Sequence, residues 1–114
     1  MKILDKPITK IDLFKDSQVV FDATMVKGVV DIRQEILAVD AELHADLEKF
    51  LLENGSLQED LWGIDLWDEA ENDEDFIEFD SMINIRPRQN NRSRYVEDER
   101  IREKIIAVVK KWIL

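Results

Sequence analysis

The sequence has no cysteine, one histidine, three glycines and two prolines. Without cysteine, disulfides, thiolate nucleophiles and cysteine-based zinc sites are excluded. No apolar run approaches the roughly 18 residues that a membrane-spanning helix needs, so no membrane role is expected, and no secretory leader is read. No internal repeat or low-complexity tract breaks the chain. The most informative absence is local. Residues 53–80 contain no Lys or Arg, against twelve Asp and Glu.

What remains is 114 residues, enough for a single domain spanning 1–114 with one modest core. Hydrophobic residues make up 45% and charged residues 37%, which favours folding over disorder. The formal charge is −10. A chain this acidic is not built for wholesale binding to a phosphate backbone, which argues against nucleic acid as a partner. The mean conceals polarity along the chain. Residues 81–114 carry nine bases and four acids, and Arg86, Arg88, Arg92 and Arg94 fall within nine residues that hold no acid.

Periodicity outlines the fold. Ile3 and Leu4 can begin an edge strand. Thr9 can cap a first helix from Lys10 to about Val20, with Asp12 at the third helical position and Ile8 and Leu13 as a hydrophobic staple. Residues 25–31 alternate as a strand, and a reversal near Arg33 and Gln34 leads to a second strand over 35–39. Asp40 can cap a second helix with the stripe Leu43, Leu47, Phe50 and Leu51, which Asn54-Gly55 ends. Residues 61–67 alternate again, 68–75 form a polar connection, and 76–85 read as a long strand closed by Pro87. A last helix begins near Glu97 or Asp98, with the stripe Ile101, Ile105, Val108 and Trp112. The expected class is α+β: a four-stranded, mostly antiparallel sheet with about three helices, ordered α-β-β-α-β-β-α, the helices on one face.

Four constellations carry chemistry. Arg86, Arg92, Ser93 and Arg94 offer guanidinium forks and a hydroxyl near a helix amino end, which suits an anion-binding pocket. Glu78, Asn84 and Asp98 are its polar surroundings, although Glu97, Asp98 and Glu99 can occupy the same donors. His44 shares a helix side with Asp40 and Glu48, with Asp46, Glu59 and Asp60 nearby, but the spacing matches no known metal motif, and no metal or other cofactor is expected. Asp65, Glu78 and Asp80 can meet across a hairpin, where paired carboxylates serve as general acid and base if one pKa is raised. His44 and Asp80 are thus the candidate catalytic groups. Finally, strict alternation places Trp67, Phe76 and Met82 on an outer face, where a homodimer could form.

Longer segments show a resemblance. They include Glu42-Leu43-His44-Ala45-Asp46, Leu51-Leu52-Glu53-Asn54-Gly55-Ser56 with Gln58-Glu59-Asp60-Leu61-Trp62-Gly63, the stretch from Asp75 to Pro87, and Asn91-Arg92-Ser93-Arg94 followed by Val96-Glu97-Asp98. Over nearly the whole chain the sequence resembles a family of small prokaryotic proteins defined as a domain of unknown function. The resemblance implies a cytoplasmic, single-domain protein and adds no catalytic role to any residue. A small binding or protein-interaction module is therefore the leading reading, because no nucleophile-base-orienter set is visible. The alternative is an enzyme acting on a phosphate-containing or other anionic small molecule, held by the arginine loop, with a carboxylate or His44 as acid and base.

Overall fold

Strands β2 (Met25–Asp31) and β4 (Leu61–Trp67) pair antiparallel along their full lengths, from Met25 opposite Trp67 to Asp31 opposite Leu61. Both segments alternate and are rich in β-branched and aromatic residues, and both are buried on their two faces. The computed structural model describes residues 1–68, 70 and 72–114. On the far side of β2 lies β3 (Ile36–Val39), and beyond it β1 (Lys2–Ile3). On the far side of β4 lies β5 (Ile77–Glu78), so the sheet order is β1-β3-β2-β4-β5, with every pair antiparallel.

The β2–β3 reversal is organised by a carboxylate. Asp31 is fully buried. Its Oδ1 accepts from the Arg33 and Gln34 amides, both at 2.9 Å, and its Oδ2 accepts from Gln34 Nε2 at 2.8 Å and Ser56 Oγ at 2.7 Å. Glu35 completes the turn at φ 57°.

Helices cover both faces. On one lie α1 (Lys10–Asp16) and α4 (Glu99–Trp112), whose Leu13, Ile105, Val108 and Val109 pack on Val26, Val30, Leu37, Trp62, Ile64 and Leu66. On the other lies α2 (His44–Glu53), whose Leu47 and Leu51 pack on Val29, Ala38 and Leu61. Each such buried aliphatic side chain is worth about 2 kcal/mol of transfer free energy. A fourth, short helix, α3 (Asp73–Phe76), follows β4; Asn72 caps it by accepting from the Asp75 amide at 3.0 Å. The C-terminus is tied back, with the Ile8 amide donating to the Trp112 carbonyl and the Leu114 amide to the Ile8 carbonyl.

The α+β class and the antiparallel sheet agree with expectation, but the arrangement does not. The sheet has five strands rather than four, because Lys2–Ile3 pairs with β3. There are four α-helices among the described residues rather than three, because part of the acid-rich 68–75 connection winds into α3. Glu69 and Glu71 of that connection lie outside the described residues. The helices occupy both faces, since both faces of β2 and β4 are apolar.

Local boundaries shift for physical reasons. Helix α1 stops at Asp16, because the Gln18 and Val19 amides turn to the Asp40 carboxylate at 2.8 to 3.0 Å. Asp40 therefore does not cap α2. That helix begins at His44 with no side-chain cap, and Leu43 is 57% exposed, so its buried stripe is His44, Leu47 and Leu51. The long strand expected over 76–85 contracts to Ile77–Glu78. Phe76 closes α3 inside the core, and Met82–Asn84 forms a 3-10 turn.

Candidate functional site

Because β5 is so short, the outer edge of β4 lacks a strand partner from Leu61 to Gly63. Side chains replace it. Arg86 Nη2 donates to the Leu61 carbonyl at 2.6 Å, and Nη1 donates to the Gln58 carbonyl. Asn84 Oδ1 accepts from the Gly63 amide at 2.8 Å, while its Nδ2 donates to the Gly63 and Arg94 carbonyls, each at 3.0 Å. The buried Asn91 folds the following loop by donating to the Asn84, Ser93 and Tyr95 carbonyls and accepting from the Glu97 amide. This scaffold fixes the approach of Asp80, Arg94 and Tyr95 to the sheet.

Gly63 makes the close approach possible. A Cβ there would lie 2.5 Å from Ser81 Cβ and 3.2 Å from His44 Cδ2. The missing side chain lets His44 of α2 lie across the strand toward Asp65. His44 is buried, with Nε2 2.8 Å from the Ile64 carbonyl oxygen and 3.1 Å from Asp65 Oδ1. The short contact to Asp65 is out of hydrogen-bonding alignment, and Asp65 Oδ1 is buried with no hydrogen-bond donor on it.

Around Asp65 the carboxylates converge. Asp65 of β4, Glu78 of β5 and Asp80 each place an oxygen within 4.8 Å of the others. Asp65 and Glu78 are direct partners in the β4–β5 register. Two unit charges at about this distance repel by roughly 3 kcal/mol at an effective dielectric near 20, before solvent screening. Burial, then the adjoining Asp65 carboxyl, push the Glu78 pKa up; Asp80 adds to this and the Trp67 side chain opposes it. The compensating cations are few. Arg94 grips Asp80 through Nε at 2.6 Å and Nη2 at 3.2 Å. Lys27, opposite Asp65 on β2, sits over the Phe21 ring. The cluster borders an open groove of roughly 710 Å³, lined by Trp67, Ile77, Glu78, Phe79, Asp80 and Tyr95.

The sequence-derived candidates separate into different environments. Arg86 turns inward over the Trp62 ring, 4.1 Å from its centroid. Burial lowers its pKa, and the charges of Glu48 and Asp60 oppose that. Arg94 joins Asp80. The Arg92 and Ser93 amides and Ser93 Oγ all donate to Glu97 Oε2, so an anion arriving there must displace a carboxylate already in place. Asp98 caps α4 by accepting from the Arg100 amide. Asp46 is exposed, Asp60 accepts from Arg33 Nε at 3.0 Å, and the Glu59 carbonyl accepts from Gln89. His44 therefore joins Asp65 rather than Asp46, Glu59 or Asp60. Asn84, expected among the polar surroundings of the arginine loop, is fully buried, and Phe76, expected on an outer face, is a core residue. Gly63, Ser81 and Asn91 emerge only in three dimensions, since their roles depend on which chain segment lies opposite them.

The fold and site define a small α+β domain whose five-stranded sheet carries an acidic cluster at one edge. The chain belongs to the family described as protein of unknown function (DUF5674), which matches residues 2–112. No curated protein and no solved structure matches it. Among the described residues, no helix is long and apolar enough to cross a membrane.

Proposed function

We propose that the protein is a binding module whose site is the Asp65–Glu78–Asp80 cluster and whose ligand is positively charged. The observation that carries this reading is the meeting of three carboxylates within 4.8 Å, where Arg94 compensates Asp80 and the His44 ring, 3.1 Å from Asp65 Oδ1, is the near neighbour of Asp65. Such a group holds excess negative charge at the rim of a groove, and a bound cation relieves it. The experiment is an isothermal titration at low ionic strength with MnCl2, MgCl2 and ethylammonium chloride. Saturable binding of any of them that weakens at least fivefold in Glu78→Gln and Asp80→Asn supports the reading. Wild-type protein that binds none of the three refutes it.

A second reading, proton transfer by an enzyme at the same place, is favoured by the upward push on Glu78 beside Asp65. A carboxyl that keeps its proton at higher pH can donate it, while its partner accepts. A turnover whose pH profile loses its upper limb in Glu78→Gln would favour catalysis over simple binding.

A further inference from the structure

The turn that ends α2 holds the one asparagine of five that is followed by glycine. Asn54 closes the helix, and Gly55 takes the left-handed turn at φ 100°. Both residues are exposed, and a Cβ at Gly55 would meet nothing within 4 Å. Backbone hydrogen bonding weakens at this point. The Asn54 and Ser56 amides each reach the Leu51 carbonyl at 3.0 Å, whereas the Gly55 amide reaches the Leu52 carbonyl at 3.4 Å, beyond the usual N–H···O range. The Asn54 side chain is held by Nδ2, which donates to the Phe50 carbonyl at 2.7 Å. The other asparagines are placed differently. Asn84 and Asn91 are buried with both ends of the side-chain amide engaged. Asn72 caps α3. Asn90 is exposed, but the backbone amide that follows it, that of Asn91, pairs with the Arg86 carbonyl at 3.2 Å.

We propose that Asn54 is a site of spontaneous amide-to-acid conversion, in which its side chain closes on the Gly55 nitrogen and the carboxyl end of α2 is released. The proposal is independent of the cation reading above. The Gly55 amide gives its proton to hydroxide, and its nitrogen forms a bond to Asn54 Cγ. The Cγ–Nδ2 bond breaks, and Nδ2 leaves as ammonia after taking a proton from water. Water then opens the resulting cyclic imide. Cleavage at Cγ leaves aspartate at position 54. Cleavage at the backbone carbonyl leaves isoaspartate, with the main chain rerouted through Cβ. Nothing is oxidised or reduced, and water is the only co-reactant. The fold favours this closure. Glycine puts no side chain in the path of the approaching Cγ, and fraying of a helix end supplies the backbone rotation that ring closure needs. The product does not suit the cap. A carboxylate cannot donate to the Phe50 carbonyl, and it adds negative charge at the negative end of the helix dipole. The last turn of α2 has no basic residue, and Glu53 adjoins. Ser56, two residues on, donates to the buried Asp31 carboxylate at 2.7 Å, so loosening here reaches the β2–β3 reversal.

The test is peptide mapping by mass spectrometry after the folded protein has been held at mildly alkaline pH. Isoaspartate is read separately, by enzymatic methyl transfer from S-adenosylmethionine. The acid form should accumulate at position 54 ahead of every other asparagine, at a rate that rises with hydroxide concentration. Asn54→Gln, whose longer side chain closes a larger and slower ring, should lose the methyl acceptance. Conversion of Asn90 as fast as that of Asn54 overturns the assignment, as does methyl acceptance that survives in Asn54→Gln. A peptide spanning residues 50–58 gives the rate without the fold. If it converts fully while Asn54 of the folded protein stays intact, the helix end protects the amide and the proposal fails. The release of α2 is read in Asn54→Asp by amide hydrogen exchange. Exchange at Gly55 and Ser56 should quicken about fivefold or more, the factor for losing one hydrogen bond and opposing the helix dipole. Unchanged exchange at both amides refutes the release.

Discussion

Asn84 gives both ends of its side-chain amide to one residue: Oδ1 accepts from the Gly63 amide at 2.8 Å, and Nδ2 donates to the Gly63 carbonyl at 3.0 Å. A side-chain amide thus copies the peptide group of a missing neighbouring strand. It completes the hydrogen bonding of β4 at the point where β5 has stopped.

Replacing that amide should be costly. In Asn84→Ala both Gly63 groups lose their partners in a buried setting, and each unsatisfied buried group costs about 1 to 3 kcal/mol. A loss of roughly 3 kcal/mol or more is expected in urea unfolding. Asn84→Asp should recover little at neutral pH, because a carboxylate can still accept from the Gly63 amide but cannot donate to its carbonyl. A loss below about 1 kcal/mol in both variants would show that water or a relaxed loop satisfies the strand edge.

Gly63→Ala tests the neighbouring contact. The added methyl would meet Ser81 Cβ at 2.5 Å and Ser81 Oγ at 2.6 Å. Ser81 cannot retreat without disturbing the 3-10 turn, because its Oγ accepts from the Ile83 amide and its own amide donates to the Arg94 carbonyl. Overpacking of this kind costs about 1 to 3 kcal/mol. Ser81→Gly removes both clashing atoms, so the double variant should be more stable than the sum of the single effects implies. A coupling of about 1 kcal/mol or more is expected from the cycle, and strict additivity would mean that the two residues do not touch.

Much of the fold is legible in local signals. Thr9 caps α1 by accepting from the Asp12 amide, Gly55 follows α2 at φ 100°, and the alternation over 25–31 and 61–67 marks the two central strands. Less legible are features whose partners lie far along the chain. Asp40 has the chemistry of a helix cap, but its carboxylate serves the Gln18 and Val19 amides instead of α2. The alternation over 76–85 suits a strand, yet Asn84 and Arg86 use their side chains where a strand would use its backbone. The meeting of Asp65, Glu78 and Asp80 follows from pairing the two hairpin strands. The place of His44 beside Asp65 does not, since it requires α2 to cross β4 at a glycine.

The pH dependence of stability should contain two opposing contributions. Glu78 is held above its ordinary value of 4.5, so the folded state binds more protons than the unfolded state just above that pH. Its contribution to stability is present below 4.5 and is lost as pH rises toward the folded-state value. Asp31 has the opposite sign. Burial would raise its pKa, but hydrogen bonds from Gln34, Ser56 and Arg33 outweigh burial and hold it below 3.8. Its stabilisation is present above that value and is lost as pH falls through the folded-state value. In urea midpoints measured across pH, Glu78→Gln should remove the decline on the alkaline side of 4.5. Asp31→Asn should lower stability at neutral pH and flatten the acid limb. An unchanged profile in Glu78→Gln would refute the upward push on that carboxyl.

Arg94 distinguishes a cation site from a self-neutralised ion-pair network. Its guanidinium engages both oxygens of Asp80, and the two side chains are 54% and 40% exposed. At such exposure the pair contributes only about 0 to 1 kcal/mol to folding, so Arg94→Ala should unfold close to the wild type. Its effect on the cluster is larger in kind. Removing the guanidinium frees two Asp80 oxygens and leaves the cluster one charge more negative. If the site binds cations, Arg94→Ala should bind ethylammonium or Mn²⁺ more tightly, by up to about fivefold at low salt. The gain should shrink as the screening length falls below about 10 Å near 0.1 M salt. If Arg94 instead helps to hold a carboxylate-bearing ligand, the same substitution should leave cation binding unchanged. Measuring Arg94→Ala and Asp80→Asn together separates these cases, because a cation site requires the two substitutions to shift affinity in opposite directions.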